Sequence, residues 1–465
     1  MFSLLSGDVS NKNYLKLYGE IEKSDSYDEN KLLNKFKGQS ISKNLSATKN
    51  QLSSLILKSL AIFYIGRSSR WKIRLLMRQA EILAEKSLHK QSKKLINKAM
   101  KLAESNEDVH DIFEIFKAKR RLDFALDEVD FEESFQKEKQ LIYQSNIEDS
   151  LSLILDALSI MKMVFVMIKF DNEKERITKL MDEPVLTGYN PAGFYPDVYY
   201  HRIYVKYYDL LGDTASSFTH AELVYEIFKK KKIDSEMYCI NICEVIYEYV
   251  FTAFEAKKNI DYDMSISSFL KFSGISDNDN SRYMIMYKQM LLAKYFYNED
   301  YNSAGLIVNE LNKIHFSTGT AFYPYLEVVS CNFAYSFFFR TKRFDDAIKS
   351  IDRLLFQDSK SNGLASKDFA RLLKIIIHYE LENYDIIESL LRNTRRYFIK
   401  TDRLGKVEEY TLSLLRTLLN ITNPREVRNE FNGFVENLNI LEHEGLIRFS
   451  FLERFIFDTW LSKYI

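Results

Sequence analysis

The sequence predicts an all-α fold: an α-solenoid of about nine helical hairpins with a period of about 41 residues, preceded by an N-terminal helical module and followed by a C-terminal capping helix. Three observations carry this reading. At 465 residues the chain is too long for one ordinary compact core, so it divides into domains or grows by repetition. Its 14 glycines and 5 prolines are far fewer than average usage, which favours long helices joined by short connections. And one amphipathic motif recurs along most of the chain.

Residues 1–70 read as a non-repeating module with helices near Tyr14–Glu22 and Asp28–Phe36 and a long one from about Leu45 to Ile65. The array spans 71–438. Its clearest unit is FRTKRFDDAIKSIDRLL (Phe339–Leu355), where an aromatic at the turn, a small residue three positions on and later large apolar residues place Phe344, Ala347, Ile351 and Leu354 on one helix face. The same relation joins Tyr301 to Ala304, Tyr262 to Ser265, Phe218 to Ala221, His89 to Ser92 and Tyr384 to Ile387. Weaker copies fall at Ser134, near Ile177 and at Val427. The longest loop is expected at Asp182–Asp197, where three prolines and two glycines cluster. Residues 439–465 end in RFSFLERFIFDTWLSKYI, expected to cover the exposed apolar face of the last unit.

These hairpins resemble tetratricopeptide repeats with longer helices than the usual unit of about 34 residues, although the small position is Ser or Ile in several copies and the signature Trp is missing. The layout of NYLKLYGEIEKSDSYDENKLLNKFKG, LSATKNQLSSLILKSL, RQAEILAEKSLHKQSKKLINKAMKLAE and FDTWLSKYI is similar to a mostly uncharacterised family of helical-repeat proteins from Bacteroidota. That resemblance implies a bacterial cytoplasmic protein and brings no catalytic residues.

Charge is balanced overall, at 65 basic and 65 acidic residues, yet Lys31–Lys101 holds 17 Lys and Arg against two acids, Glu81 and Glu85. A merely solvated helix mixes signs to gain i,i+4 pairs, so this excess points to an acidic partner: nucleic acid, an acidic protein or the chain's own acidic remainder. Arg67, Arg70, Lys72, Arg74 and Arg78 form the candidate basic patch. Few aromatics accompany them, so phosphate contact is better supported than base stacking.

No phosphate-binding loop or dinucleotide turn occurs, and the seven histidines show no zinc-binding spacing, so neither cofactor nor metal is expected. Cys239, Cys243 and Cys331 read as packing thiols of a reducing compartment. No secretory signal and no membrane span is read, and the expected location is the cytoplasm. The expected function is therefore a non-enzymatic scaffold that binds a protein or peptide on its concave surface. Tyr199, Arg202 and Lys206 from YYHRIYVKYYDLL, with Gln289, Asn332 and Ser336 of later units, are the candidate groove residues. Core packing accounts for most of the neighbouring tyrosines. The rival is a nucleic-acid-associated regulator whose segment 31–101 touches phosphates while the repeats bind a peptide or protein; a third is a basic module docked on its own repeats.

Overall fold

The structure, a computed structural model, describes residues 13–23, 28–65, 69–128, 130–190, 193–231, 239–273, 282–314, 322–356 and 363–465. Among the described residues there are 23 α-helices and no strand. The N-terminal module is α1 (Asn13–Ile21), α2 (Glu29–Lys35), α3 (Ser40–Lys43) and α4 (Leu45–Ile65). Then come α5 (Ser69–Glu85), α6 (His89–Asn106), α7 (Val109–Ala125) and the 35-residue α8 (Phe131–Phe165). After α9 (Asp171–Met181) and α10 (Pro184–Thr187) the hairpins run α11 (Phe194–Leu211) with α12 (Thr214–Lys230), α13 (Cys239–Glu255) with α14 (Tyr262–Ser273), and α15 (Arg282–Tyr297) with α16 (Tyr301–Asn312). They continue as α17 (Phe322–Arg340) with α18 (Phe344–Leu355), α19 (Leu364–Glu380) with α20 (Tyr384–Lys400), and α21 (Lys406–Leu418) with α22 (Pro424–His443), before α23 (Phe451–Leu461). With α5 and α6, seven successive pairs pack as hairpins.

The expected phase is visible in the second helices. His89, Tyr262, Tyr301, Phe344 and Tyr384 each open one, and Ser92, Ser265, Ala304, Ala347 and Ile387 are buried one turn on. One unit is out of register with the motif: α12 starts at Thr214, so its equivalent position is Ser217 rather than Ala221. Ser217 Oγ donates to the Val205 carbonyl at 3.2 Å, as Ser92 Oγ donates to the Ala80 carbonyl at 2.8 Å, each twelve residues back. The weak copies at Ser134 and Ile177 do not form a hairpin, because α8 has neither Gly nor Pro to break it and continues as a single helix.

Six of the seven hairpins share one turn. The residue that ends the first helix is left-handed: Ser87, Gly212, Lys257, Glu299, Lys342 and Glu382 have φ between 52° and 71°. The next N–H then reaches back five residues, as from Arg343 to the Phe338 carbonyl at 2.8 Å and from Asp300 to Tyr295 at 2.9 Å, satisfying helix-end carbonyls. Only Gly212 is glycine, and there the close approach demands it: a Cβ would stand 2.9 Å from Arg448 Cδ and Met167 Sδ.

The chain divides into two compact units, Met1–Ile142 and Tyr143–Ile465, so the boundary lies inside α8 rather than at residue 70. In unit 1, α4 packs on α5, which puts the basic module in one body with α5–α7. Two small cores hold it, one around Leu17, Phe36, Ile41 and Leu52, the other around Ile73, Ala80, Ile96, Ala99 and Ile115.

Unit 2 contains the long core. Its first helices form an inner row, with α13 on α15, α15 on α17, α17 on α19 and α19 on α21 in direct contact. The closing helix α23 covers the last unit through Phe431 and Phe434, as expected, and also crosses this inner row: Phe451 packs tilted against Phe254 of α13 (ring centres 4.2 Å apart), and Phe455 and Phe457 pack edge-on against Phe296 of α15 and Phe369 of α19 (5.6 Å each). The Trp460 indole N–H donates to Glu380 at 3.0 Å. The segment after α8 reaches the far end of the same unit, where Arg403 binds Glu173 at 2.5 Å and Asp368 at 2.6 Å, all three buried. The expected loop at 182–197 is shortened by α10, started by Pro184, and by α11, which admits Pro196 in its first turn.

Candidate ligand-binding site

Because α23 fills only part of the inner row, unit 2 retains a cavity of about 370 Å³ between α8, α11, α13, α17, the start of α19 and the start of α23. Helical periodicity aims the lining. On α13, Glu244, Glu248, Phe251 and Glu255 recur at three- to four-residue steps on one face, as Tyr325, Val329 and Asn332 do on α17.

The charged part of the wall is an interlocked set. The Arg202 guanidinium grips Glu248 through two bonds, Nε at 2.9 Å and Nη2 at 2.8 Å, and reaches Glu244 at 3.5 Å. Lys206 donates to Glu248 at 2.6 Å, and Lys162 lies 3.4 Å from Asp209. Burial by itself disfavours charge on Glu248, but Arg202 and Lys206 overcome it and hold the carboxyl down at about 2. Burial has the opposite outcome at Glu255, whose pKa is pushed up to about 7: the Phe451 N–H donates to it at 2.7 Å and Lys162 is near, yet Asp209 and Glu453 add negative field. Burial also pushes the Tyr325 phenol up to about 12. Among the described residues its hydroxyl has no hydrogen-bond partner.

The candidate groove residues separate into three fates. Arg202, Lys206 and Asn332 line the cavity together. Tyr199 packs against the smaller core beside Tyr195 instead. Gln289 and Ser336 are fully buried, so they are interior residues and not groove residues. Gln289 accepts from Tyr247 (2.7 Å) and donates to the Leu326 carbonyl (2.7 Å) and Ser330 (2.9 Å), and Ser336 donates to the Asn332 carbonyl (2.7 Å). A polar side chain on the inner face of a stacked row meets the next helix before it meets solvent, and a fully bonded one fixes the register between helices. The sequence pattern did not single out Lys162, Asp209, Glu255 or Tyr325. The available signal was α13 itself, an otherwise apolar helix carrying Glu244, Glu248 and Glu255.

In unit 1, Arg70, Arg74 and Arg78 fall at four-residue intervals on α5, with Lys72 exposed beside them; Arg67 lies outside the described residues. Arg70 leans toward Asp108 (3.9 Å) and Asp111 (4.0 Å), Arg78 pairs with Glu81 (2.9 Å), and Arg74 lies 5.5 Å from the Trp71 ring centre. A cleaner cationic stripe runs along α6, where Lys90, Lys94, Lys98 and Lys101 are exposed and, among the described residues, meet no carboxylate.

Among the described residues no group of three His, Cys, Asp or Glu is placed to hold a metal ion, and no helix is long and apolar enough to cross a membrane. The arrangement defines an all-α helical-repeat protein whose second unit holds a partly open cavity lined by apolar and charged side chains. No family model matches the chain, and no curated protein or solved structure does either.

Proposed function

We propose that this chain is a binding protein, not a catalyst, and that it holds a short peptide or ligand of similar size in the cavity of unit 2. The observation that carries the reading is the cavity itself. Its 370 Å³ falls within the roughly 300–1,000 Å³ of small-ligand sites, and its walls combine apolar side chains with a few fixed polar groups. The ion pairs of Arg202, Lys206 and Glu248 hold those groups in place before any ligand arrives, which lowers the ordering cost of binding. A whole partner helix is disfavoured on the inner row, since α23 covers it from α13 to α19. The buried thiols Cys243 and Cys331 suit a reducing compartment such as the cytoplasm. Calorimetric titration with a library of capped tripeptides, repeated on Ser159→Phe to fill the cavity, tests the proposal. Binding that the variant abolishes supports it, and binding that survives the variant rejects the cavity as the site.

The α6 stripe favours a second reading, in which unit 1 contacts phosphates of a nucleic acid. Titration of a random-sequence duplex at rising salt is the test: affinity falling steeply on a log-log plot supports it, and no binding at low salt removes it.

A further inference from the structure

We infer that the cavity of unit 2 recognises its ligand through a cationic group, an amine or guanidinium, seated against the Glu255 carboxylate beside Asp209 and Tyr325. The inference rests on the ligand-binding reading above and specifies the chemistry of the occupant.

Hydrogen-bonding capacity gives the first argument. Each cation on the wall is already engaged by a carboxylate: Lys162 by Asp209, and Arg202 and Lys206 by Glu248. The acceptors are not matched in return. Glu255 uses Oε2 on the Phe451 N–H, while its other oxygen and the Tyr325 hydroxyl have no donor among the described residues. The free oxygen of ionised Glu255 takes only a donor and the Tyr325 hydroxyl can take one, and an ammonium or guanidinium supplies nothing else.

The field gives the second argument. The lining carries six carboxylates, Asp156, Asp209, Glu244, Glu248, Glu255 and Glu453, against three cations, and two more cations stand behind the wall, Arg282 on Glu244 (3.6 Å) and Lys169 on Glu453 (3.8 Å), which leaves an excess of one negative charge. Enclosure by low-dielectric walls strengthens this imbalance relative to water. The groups that act on Glu255 are Lys162 from α8, Asp209 from α11, and the Phe451 N–H and Glu453 from α23; Tyr325 of α17 shares the field of Glu255 with Lys206, Asp209 and Glu248. Their combined effect, with burial, is to push the Glu255 pKa up to about 7. A ligand cation takes the place of the proton on that carboxyl.

The apolar wall gives the third argument. Met163, Met167, Phe251, Phe254 and Phe333 complete the cavity and suit the hydrocarbon stem of a lysine or arginine side chain, whose head group then reaches the carboxylates.

The sign of the pH dependence follows. The ligand binds the ionised carboxylate, so affinity falls about tenfold per pH unit as pH drops below about 7 and levels off above it, and binding below that point releases a proton. The probes are acetylated, amidated Ala-X-Ala tripeptides with X as Arg, Lys, Leu or Glu, titrated by calorimetry in two buffers of different ionisation enthalpy. The Arg or Lys peptide is expected to bind at least tenfold tighter than the Leu peptide, with proton release. Glu255→Gln keeps an oxygen for the Phe451 N–H, so α23 remains anchored, but it abolishes both the preference and the proton release. Retention of the native melting temperature by this variant separates lost charge from lost fold; a variant that melts early is replaced by the pH series on the native chain. If the Leu or Glu peptide binds as tightly as the Arg and Lys peptides, in a manner blocked by Ser159→Phe, the cationic assignment is overturned while the cavity reading stands. If none of the four binds, both are overturned.

Discussion

Glu173 and Arg403 stand 230 positions apart in the chain and meet at 2.5 Å inside unit 2. Asp368 takes the other side of the same guanidinium at 2.6 Å. The pair ties the segment after α8 to the turn between α20 and α21, and a buried charge that loses its partner is costly. Glu173→Ala is therefore expected to destabilise unit 2 by about 3–5 kcal/mol, read from urea unfolding. An effect below about 1 kcal/mol, the range of exposed pairs, contradicts the role assigned to this ion pair.

Trp460 is the second anchor. It is buried against Phe431 and Phe434 and donates to Glu380. Trp460→Ala should lower stability by about 3–5 kcal/mol, most of it from lost packing. Phe431→Leu at the same interface should lose less, and equal losses would show that the indole has no special weight.

His201 and His220 meet through their Nδ1 atoms at 3.0 Å, which requires one ring to donate and the other to accept. Burial lowers both pKa values, that of His220 to about 4. A histidine whose folded pKa lies below its unfolded value supports the fold fully above about pH 6.5 and loses that support as pH falls toward 4. Thermal melts of His220→Gln between pH 7 and 4 should decline less steeply than those of the native chain, and parallel profiles would exclude this pair as the cause.

Cys331 is buried and its thiol is pushed up to about 12, chiefly by burial. In Cys239→Ser, an aromatic disulfide reagent at pH 8 should react with neither Cys243 nor Cys331 until denaturant is added. Rapid labelling in the folded state would place at least one thiol at the surface.

Lys94→Glu combined with Lys98→Glu reverses charge at the middle of the α6 stripe without touching the core. For the phosphate-binding reading, duplex affinity should fall, and the salt slope should decrease by about 0.9 for each phosphate that is no longer neutralised. Unchanged affinity would move any nucleic-acid interface elsewhere.

What the sequence made legible was local. An aromatic such as Tyr301 or Phe344 followed by a buried small residue marks a helix start, because both positions pack within one hairpin. The shared turn was silent, since five of its six left-handed positions are Ser, Lys or Glu instead of Gly. The misassigned phase at Ala221 arose because Phe218 and Ala221 copy the motif one turn late, while the small residue that bonds the preceding helix is Ser217. Gln289 and Ser336 were placed in the groove because face assignment gives direction along one helix but not the depth of the neighbour covering it. Glu173 with Arg403 and Glu255 with the Phe451 N–H join residues about two hundred positions apart, and no local pattern encodes such a meeting.

The course of α23 alters how unit 2 can come apart. In an open repeat array each unit touches only its neighbours, so stability propagates stepwise and terminal units fray first. Here one helix touches units from α13 to α22, and a salt bridge joins the two extremes. Loss of either end weakens the middle at once, which couples a row of semi-independent modules into one cooperative unit.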